Sequence, residues 1–387
     1  MTARSTPAAA GHRAALAELA SLFFVLGTVG FGGPAAHLAM MEEAVVRRRG
    51  WLPRERFLDL LGVTNLIPGP NSTEMAMQLG YARAGYPGLV VAGAAFIVPA
   101  VLLTTILAWV YVRVGRIPEG AAWLAGAKPA VLAVLLAAIV SLGRGAAKTP
   151  PLLLLGVVIT GAALLGASET LLLLGGGVVG LVGWWLRRPG GGAAAAGVLP
   201  LVATGIGAAW ASSPVTPTAI GLYFLQVGAV LYGSGYVLFA FLEGGLVDRL
   251  GWLDRATLLD AIAVGQLTPG PVLSTATFVG YLLDGMAGAV AATIGIFLPS
   301  FVFVGLLAPL VPRVRRAGWM GAFLDAVNVS AVGLMAAVAV ELALATLTTW
   351  PTALILAAGL AGSVRWRIPA PWIVVGGMLL GRVLPAP

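Results

Sequence analysis

The sequence predicts an all-α polytopic membrane protein built as two homologous halves related as inverted repeats. Three observations carry this. Only 10% of the 387 residues are charged, against roughly 25% in a soluble domain, and the mean hydropathy is +0.97. Apolar stretches of about 20 residues recur along the chain, enough to cross roughly 30 Å of hydrocarbon as helix. The chain also matches itself at an offset of 201 residues, which lays GWL at 50–52 on GWL at 251–253.

The same offset lays FGGP (31–34) on YGSG (232–235), Glu42 on Glu243, Arg54 on Arg255 and Asp59 on Asp260. After a one-residue slip, GY (80–81) falls on GY (280–281), Gly85 on Gly285 and Pro99 on Pro299. Internal repeats of this kind characterise secondary transporters. Residues 1–186 form the first repeat and 216–387 the second. Residues 187–215 join them as a linker that includes a short apolar stretch, 198–211.

Within the first repeat, apolar segments fall near 15–33, 56–82, 86–112, 121–142, 150–167 and 169–186. Within the second they fall near 216–238, 257–282, 286–311, 322–342, 347–362 and 370–386. The run Leu16–Gly30 has a counterpart inside the chain, so it is a structural element and not a cleaved signal peptide. The second segment of each repeat is interrupted by Pro-Gly-Pro: Pro68, Gly69 and Pro70, then Pro269, Gly270 and Pro271. Its arms of about a dozen residues, roughly 18 Å as helix, are too short to cross singly. The segment is a broken spanning helix or a re-entrant hairpin. As hairpins, they leave each repeat five crossings, and an odd number inverts the second repeat. The loop RRRGWLPRER then shares the cytoplasmic face with most of the 23 basic residues. This topology places the tail with Arg13 on the opposite face and keeps 198–211 from crossing.

Basic clusters between apolar runs signal topology, and no soluble segment is long enough to read nucleic acid. With no cysteine and only His12 and His37, no disulfide, metal or other cofactor is expected. An intramembrane enzyme would need a nucleophile, metal ligands or a close acid pair, none of which the apolar runs offer.

Breaking a helix in hydrocarbon is costly unless the freed backbone groups are used. Asn71, Ser72 and Thr73 follow the first triplet, and Ser274 and Thr275 the second, as at a helix start. Helix N-termini favour anions. Two such ends, one from each inverted repeat, suit a shared oxyanion; the alternative is a kink in a packed helix. Asn65 and Gln266, three residues before each triplet, join this candidate site, as do Lys128 and its repeat partner Asn328. Lys128 is a buried ammonium or one that snorkels to the interface. Glu74, one turn into the helix, is a proton carrier or a first-turn acid. Asp325, Glu243 and His37 complete the coupling and gating candidates, and the FGGP motif is a hinge or a close-packing site.

The stretches FGGPAAHLAMMEEAVVRRRGWLPRERFLDLLGVTNLIPGPNSTEMAMQLGY and YVLFAFLEGGLVDRLGWLDRATLLDAIAVGQLTPGPVLSTATFVGYLLDG resemble the two domain signatures of the chromate ion transporter (CHR) family. The resemblance spans both repeats. It implies a two-domain, long-chain member, expected in the cell (inner) membrane; the sequence leaves monomer and homodimer both open. It further implies chromate efflux, driven by the membrane potential or a proton gradient and conferring chromate resistance. The family's motif positions here are Gly32, Gly33, Pro34, Glu43, Arg48, Trp51 and both triplets. Sulfate or another oxyanion, carried in either direction, is the alternative cargo; a sensor without transport is a further one.

Overall fold

The computed structural model describes residues 7–31, 33–114, 118–186, 214–308 and 318–384. The described residues form helices and turns without strands. In the first repeat these are α1 (Pro7–Val29), α2 (Gly33–Glu42, continued by a π-helical turn Glu43–Arg48), α3 (Arg54–Thr64), α4 (Asn71–Val114), α5 (Pro118–Ala146), α6 (Pro150–Leu164) and α7 (Glu169–Leu186). In the second they are α8 (Pro217–Val230), α9 (Leu238–Phe241, continued by a π-helical turn Leu242–Arg249), α10 (Arg255–Leu267), α11 (Thr275–Leu307), α12 (Gly318–Thr346), α13 (Trp350–Arg365) and α14 (Ala370–Val383).

Both PGP segments are re-entrant hairpins. Gly69 (φ 139°) and Gly270 (φ 92°) take the positive φ that the turn needs and that glycine alone adopts cheaply. Across each tip the arms touch. Asn71 Nδ2 donates to Asn65 Oδ1 at 2.8 Å, and a Cβ at Gly265 would fall 2.1 Å from Thr275 Oγ1. The chain then turns again inside α4 at Gly85 (φ 64°) and inside α11 at Gly285 (φ 55°). Pro87 opens the second part of α4, where a missing N–H costs nothing.

Ion pairs fix the level of each element. Glu18 of α1 binds Arg83 at 3.0 Å and Arg49 at 3.7 Å, so residues 18, 49 and 83 share one face. From Glu18 to Gly30 is about 18 Å of helix, roughly half the hydrocarbon thickness. α1 therefore descends to mid-membrane, and α2 with its π-turn climbs back to Arg49. The second part of α4 crosses and α5 returns, which brings Lys148 to Asp325 at the start of α12, 2.7 Å apart. α12 crosses to Glu341, which Arg255 at the start of α10 meets at 3.1 Å. The hairpins of the second repeat thus enter from the opposite face, and the repeats are inverted.

Among the described residues six helices are long and apolar enough to span, 11–29 among them; residues 11–14 of α1 project beyond Glu18 and are exposed. α1 and α8 end at tips where Gly33 (φ 76°) and Gly233 (φ 92°) turn the chain. In each repeat the helices that follow the hairpin are the second part of α4 with α5–α7, and the second part of α11 with α12–α14. Arg13, expected opposite the basic loop, lies on the same face as Arg47–Arg49. α7 ends on that face and α8 begins on the other; residues 187–213, with the stretch 198–211, lie outside the described residues. Arg47, Arg48, Arg49, Arg54, Arg56, Arg83, Lys148, Arg365 and Arg367 make this the cytoplasmic face.

The repeats are interlocked. α5 packs on α13 and α14 of the second repeat, and α12 on α6 and α7 of the first. Glycine permits backbone approach at these crossings: Gly126 lies against Gly377, and Gly333 against Gly156. The symmetry holds in detail. A Cβ at Gly27 would fall 2.4 Å from the Phe96 carbonyl oxygen, and one at Gly228 the same 2.4 Å from that of Ile296.

Candidate functional site

The hairpin tips meet in the interior, each glycine of a triplet bonded across to the other repeat. Gly270 N–H donates to Gly30 C=O at 2.8 Å, and Gly69 N–H to Leu231 C=O at 2.6 Å. Gly30 and Leu231 are the last residues before the two tip turns, so the contacts are repeat-equivalent. These bonds satisfy backbone groups where no water can. His37 Nε2 lies 2.9 Å from the same Gly30 oxygen, its ring edge-on to Phe96. Gly33 and Pro34 form this turn; Gly32 lies outside the described residues.

A cavity of about 500 Å³ reaches the tips from the cytoplasmic face. Lys148 and Asp325 stand at its mouth, while Asn65 and Asn71 of the first PGP hairpin, Ser234 and Asn328 line its depth. Ser141 adds a hydroxyl from α5. Neutral amides and hydroxyls beside one paired lysine can bind an oxyanion by hydrogen bonds without holding it permanently. Ser234 and Lys148 escaped the sequence reading. The repeat register, which lays Ser234 on Gly33, was the available signal for the first; Lys148 looked like a topology marker.

The corresponding positions on the opposite face are sealed. Gln266, Val272 and Ala263, counterparts of Asn65, Asn71 and Gly62, are buried. The two PGP ends therefore do not open on one pocket. The first borders the cavity through Asn71, while Pro68, Pro70, Ser72 and Thr73 lie buried behind it. Around the second, Pro269 and Pro271 are buried, Ser274 Oγ accepts from Thr104 at 3.3 Å, and Thr275 Oγ1 donates to Val272 C=O at 2.8 Å.

Lys128 is not at the tips either. Its ammonium lies 3.6 Å from Asp260, which also accepts from Tyr111 at 2.8 Å. Glu74 is wholly buried behind the first tip, where Ser300 of the second repeat donates to it at 3.4 Å. Its other oxygen has no partner among the described residues.

The remaining gating candidates lie toward the two membrane faces, with Glu243 itself buried. Glu43 binds Arg48 at 3.2 Å and Arg47 at 3.6 Å. Trp51 is flanked by the guanidinium groups of Arg83 at 5.1 Å and Arg49 at 5.8 Å. On the opposite face Glu243, Asp248 and Glu341 converge on Arg255, which fills the place a metal ion would need. The pair Arg54–Glu42, at 3.0 Å, repeats Arg255–Glu243 on the cytoplasmic side. Asp254, which caps α10, is held below the usual carboxylate range by the Thr257 N–H at 2.8 Å.

Hairpins entering from both faces, joined at mid-membrane beside a cavity open to one side, define an inverted-repeat membrane transporter. The chain belongs to the chromate transporter family, whose model matches residues 17–181 and again 218–382. It is 32% identical to a chromate transport protein of Cupriavidus metallidurans, over 95% of this chain and 93% of that protein. A probable chromate transport protein of Synechococcus elongatus is 31% identical over 95% of each chain. A chromate transport protein of Pseudomonas aeruginosa is 31% identical over 92% of this chain and 89% of its own. No solved structure matches the chain.

Proposed function

We propose that the protein exports chromate from the cytoplasm as a secondary transporter. The cavity that opens on the basic face and ends at Asn65, Asn71, Ser234 and Asn328 is the observation that carries this reading. Its volume of about 500 Å³ admits a tetrahedral dianion with part of its hydration shell. Side-chain amide donors, with the N–H of Asn71 that heads α4, replace the water the anion sheds. The anion enters from the cytoplasm, stops at the first PGP tip, and leaves when the sealed counterpart opens and the cytoplasmic cavity closes. Outward movement of each negative charge across a membrane that is negative inside gains about 2.3 kcal/mol per 100 mV. Glu74 takes the role of proton carrier, because it sits at the joint between the repeats with a single hydroxyl partner.

Flux of labelled chromate and sulfate into inverted and right-side-out vesicles tests this. Chromate should accumulate in inverted vesicles, and Asn328→Leu should weaken uptake about tenfold, the loss of one hydrogen bond to a charged group. Sulfate flux without chromate flux would assign the alternative cargo. No flux of either would end the reading.

A further inference from the structure

A second cavity, of about 560 Å³, lies between α1 and α2 with its π-turn. Leu22, Val25, Leu26 and Met40 line its apolar length, and Arg48 and Arg49 close its cytoplasmic end beside Glu43. Val25 is 54% exposed, so the groove opens toward the bilayer. From the level of Glu18 to Leu26 it extends about 12 Å into the membrane.

The second repeat contains the same groove, filled. Its lining of Tyr223, Val227, Phe241, Gly245 and Arg249 corresponds to Leu22, Leu26, Met40, Ala44 and Arg48, yet its volume is only about 20 Å³. Two parts of the chain occupy it. Tyr223 lies against Gly245 and donates to the Phe241 carbonyl at 2.5 Å. Glu169, from the start of α7, places its carboxylate on Arg249, in space left free by Gly244. The filled copy therefore combines bulk along the groove with an anion on the arginine at its end.

The open copy lacks both, and its charges are unbalanced. Glu18 serves Arg49 and Arg83, and Glu43 serves Arg47 and Arg48. Four guanidinium groups face two carboxylates, which leaves two positive charges at the cytoplasmic headgroup level.

We propose that this groove binds an anionic phospholipid of the cytoplasmic leaflet. One acyl chain lies along Leu22, Val25 and Met40, and the phosphate lies on Arg48 and Arg49. Basic pockets between membrane helices on the cytoplasmic side suit such headgroups. The lipid does for the first repeat what Tyr223 and Glu169 do for the second: it supports α1 against α2, and through them the tip that holds Gly270.

Native mass spectrometry and thermal unfolding of the purified full-length chain, with added phosphatidylglycerol, phosphatidylcholine or inorganic phosphate, test this. Phosphatidylglycerol should stay bound and raise the unfolding midpoint; phosphatidylcholine and phosphate should do neither. Arg48→Gln and Arg49→Gln should each lower its retention about fivefold. Ala39→Trp, at an exposed groove position, should block retention with every charge intact. Equal retention of both lipids, or undiminished retention in the three variants, overturns the proposal. Stabilisation by inorganic phosphate alone would assign the arginines to a free anion and overturn it as well.

Discussion

Lys128 of α5 and Asp260 of α10 form an ion pair, at 3.6 Å, between the two repeats on the sealed side of the protein. The inverted equivalent of Lys128 is Asn328, which carries no charge and lines the open cavity. The two repeats thus differ at a position that is paired on the closed side and lines the cavity on the open one. If the outer side opens at this pair, the contact must break first, and Lys128 then becomes available to the departing anion; removing its partner tests this.

Asp260→Asn should therefore favour the outward-open state. A pair that is partly exposed is worth less than a buried one, about 1–2 kcal/mol here, or roughly a tenfold shift in population. Faster labelling of Gln266→Cys from the outer face in the Asp260→Asn background would register it. Unchanged labelling would remove the pair from the gate.

Because the natural chain contains no cysteine, single replacements report cleanly on access. Asn65→Cys should react quickly with a membrane-impermeant maleimide applied at the cytoplasmic face. Gln266→Cys, its buried counterpart, should be protected from both faces. Equal reactivity would contradict a cavity open to one side.

Glu74→Gln keeps the shape and the hydrogen bond with Ser300 but cannot exchange a proton. Expression and oxyanion binding should stay within about twofold of the original, since the cavity residues are untouched. Stimulation of flux by an imposed pH gradient should disappear, while stimulation by membrane potential remains. A retained response to the pH gradient would exclude Glu74 as the carrier.

Gly27→Ala and Gly228→Ala should cost the same stability, about 1–3 kcal/mol each, because both added methyls meet a facing carbonyl oxygen at an identical distance. Thermal unfolding in detergent measures the pair. A large difference would mean that one repeat yields more easily than its symmetric contacts imply.

Much of the fold was legible because local physics sets it. Hydropathy gave the apolar elements, the 201-residue register gave the repeat, and Pro-Gly-Pro marked the hairpin tips. The candidate site was legible only in part. Asn65, Asn71 and Asn328 line the cavity as proposed substrate contacts, but nothing in the sequence near Lys128 announces Asp260, 132 positions away. The depth that α1 reaches is not legible in the sequence for a related reason. Its apolar length satisfies a full crossing, and only the pairing of Glu18 with Arg49 and Arg83 shows where the membrane surface falls on it.

By itself, then, the sequence determined the solvent, the duplication and the places where helices break, since each follows from residues close together in the chain. Tertiary structure decided how deep the first helix of each repeat reaches, which repeat supplies the partners of α5 and α12, and which side stands open. Those outcomes depend on contacts between distant segments. Homologous repeats can in principle take up each other's packing, and positions where they differ, Lys128 and Asn328 among them, are where the two sides are made unlike.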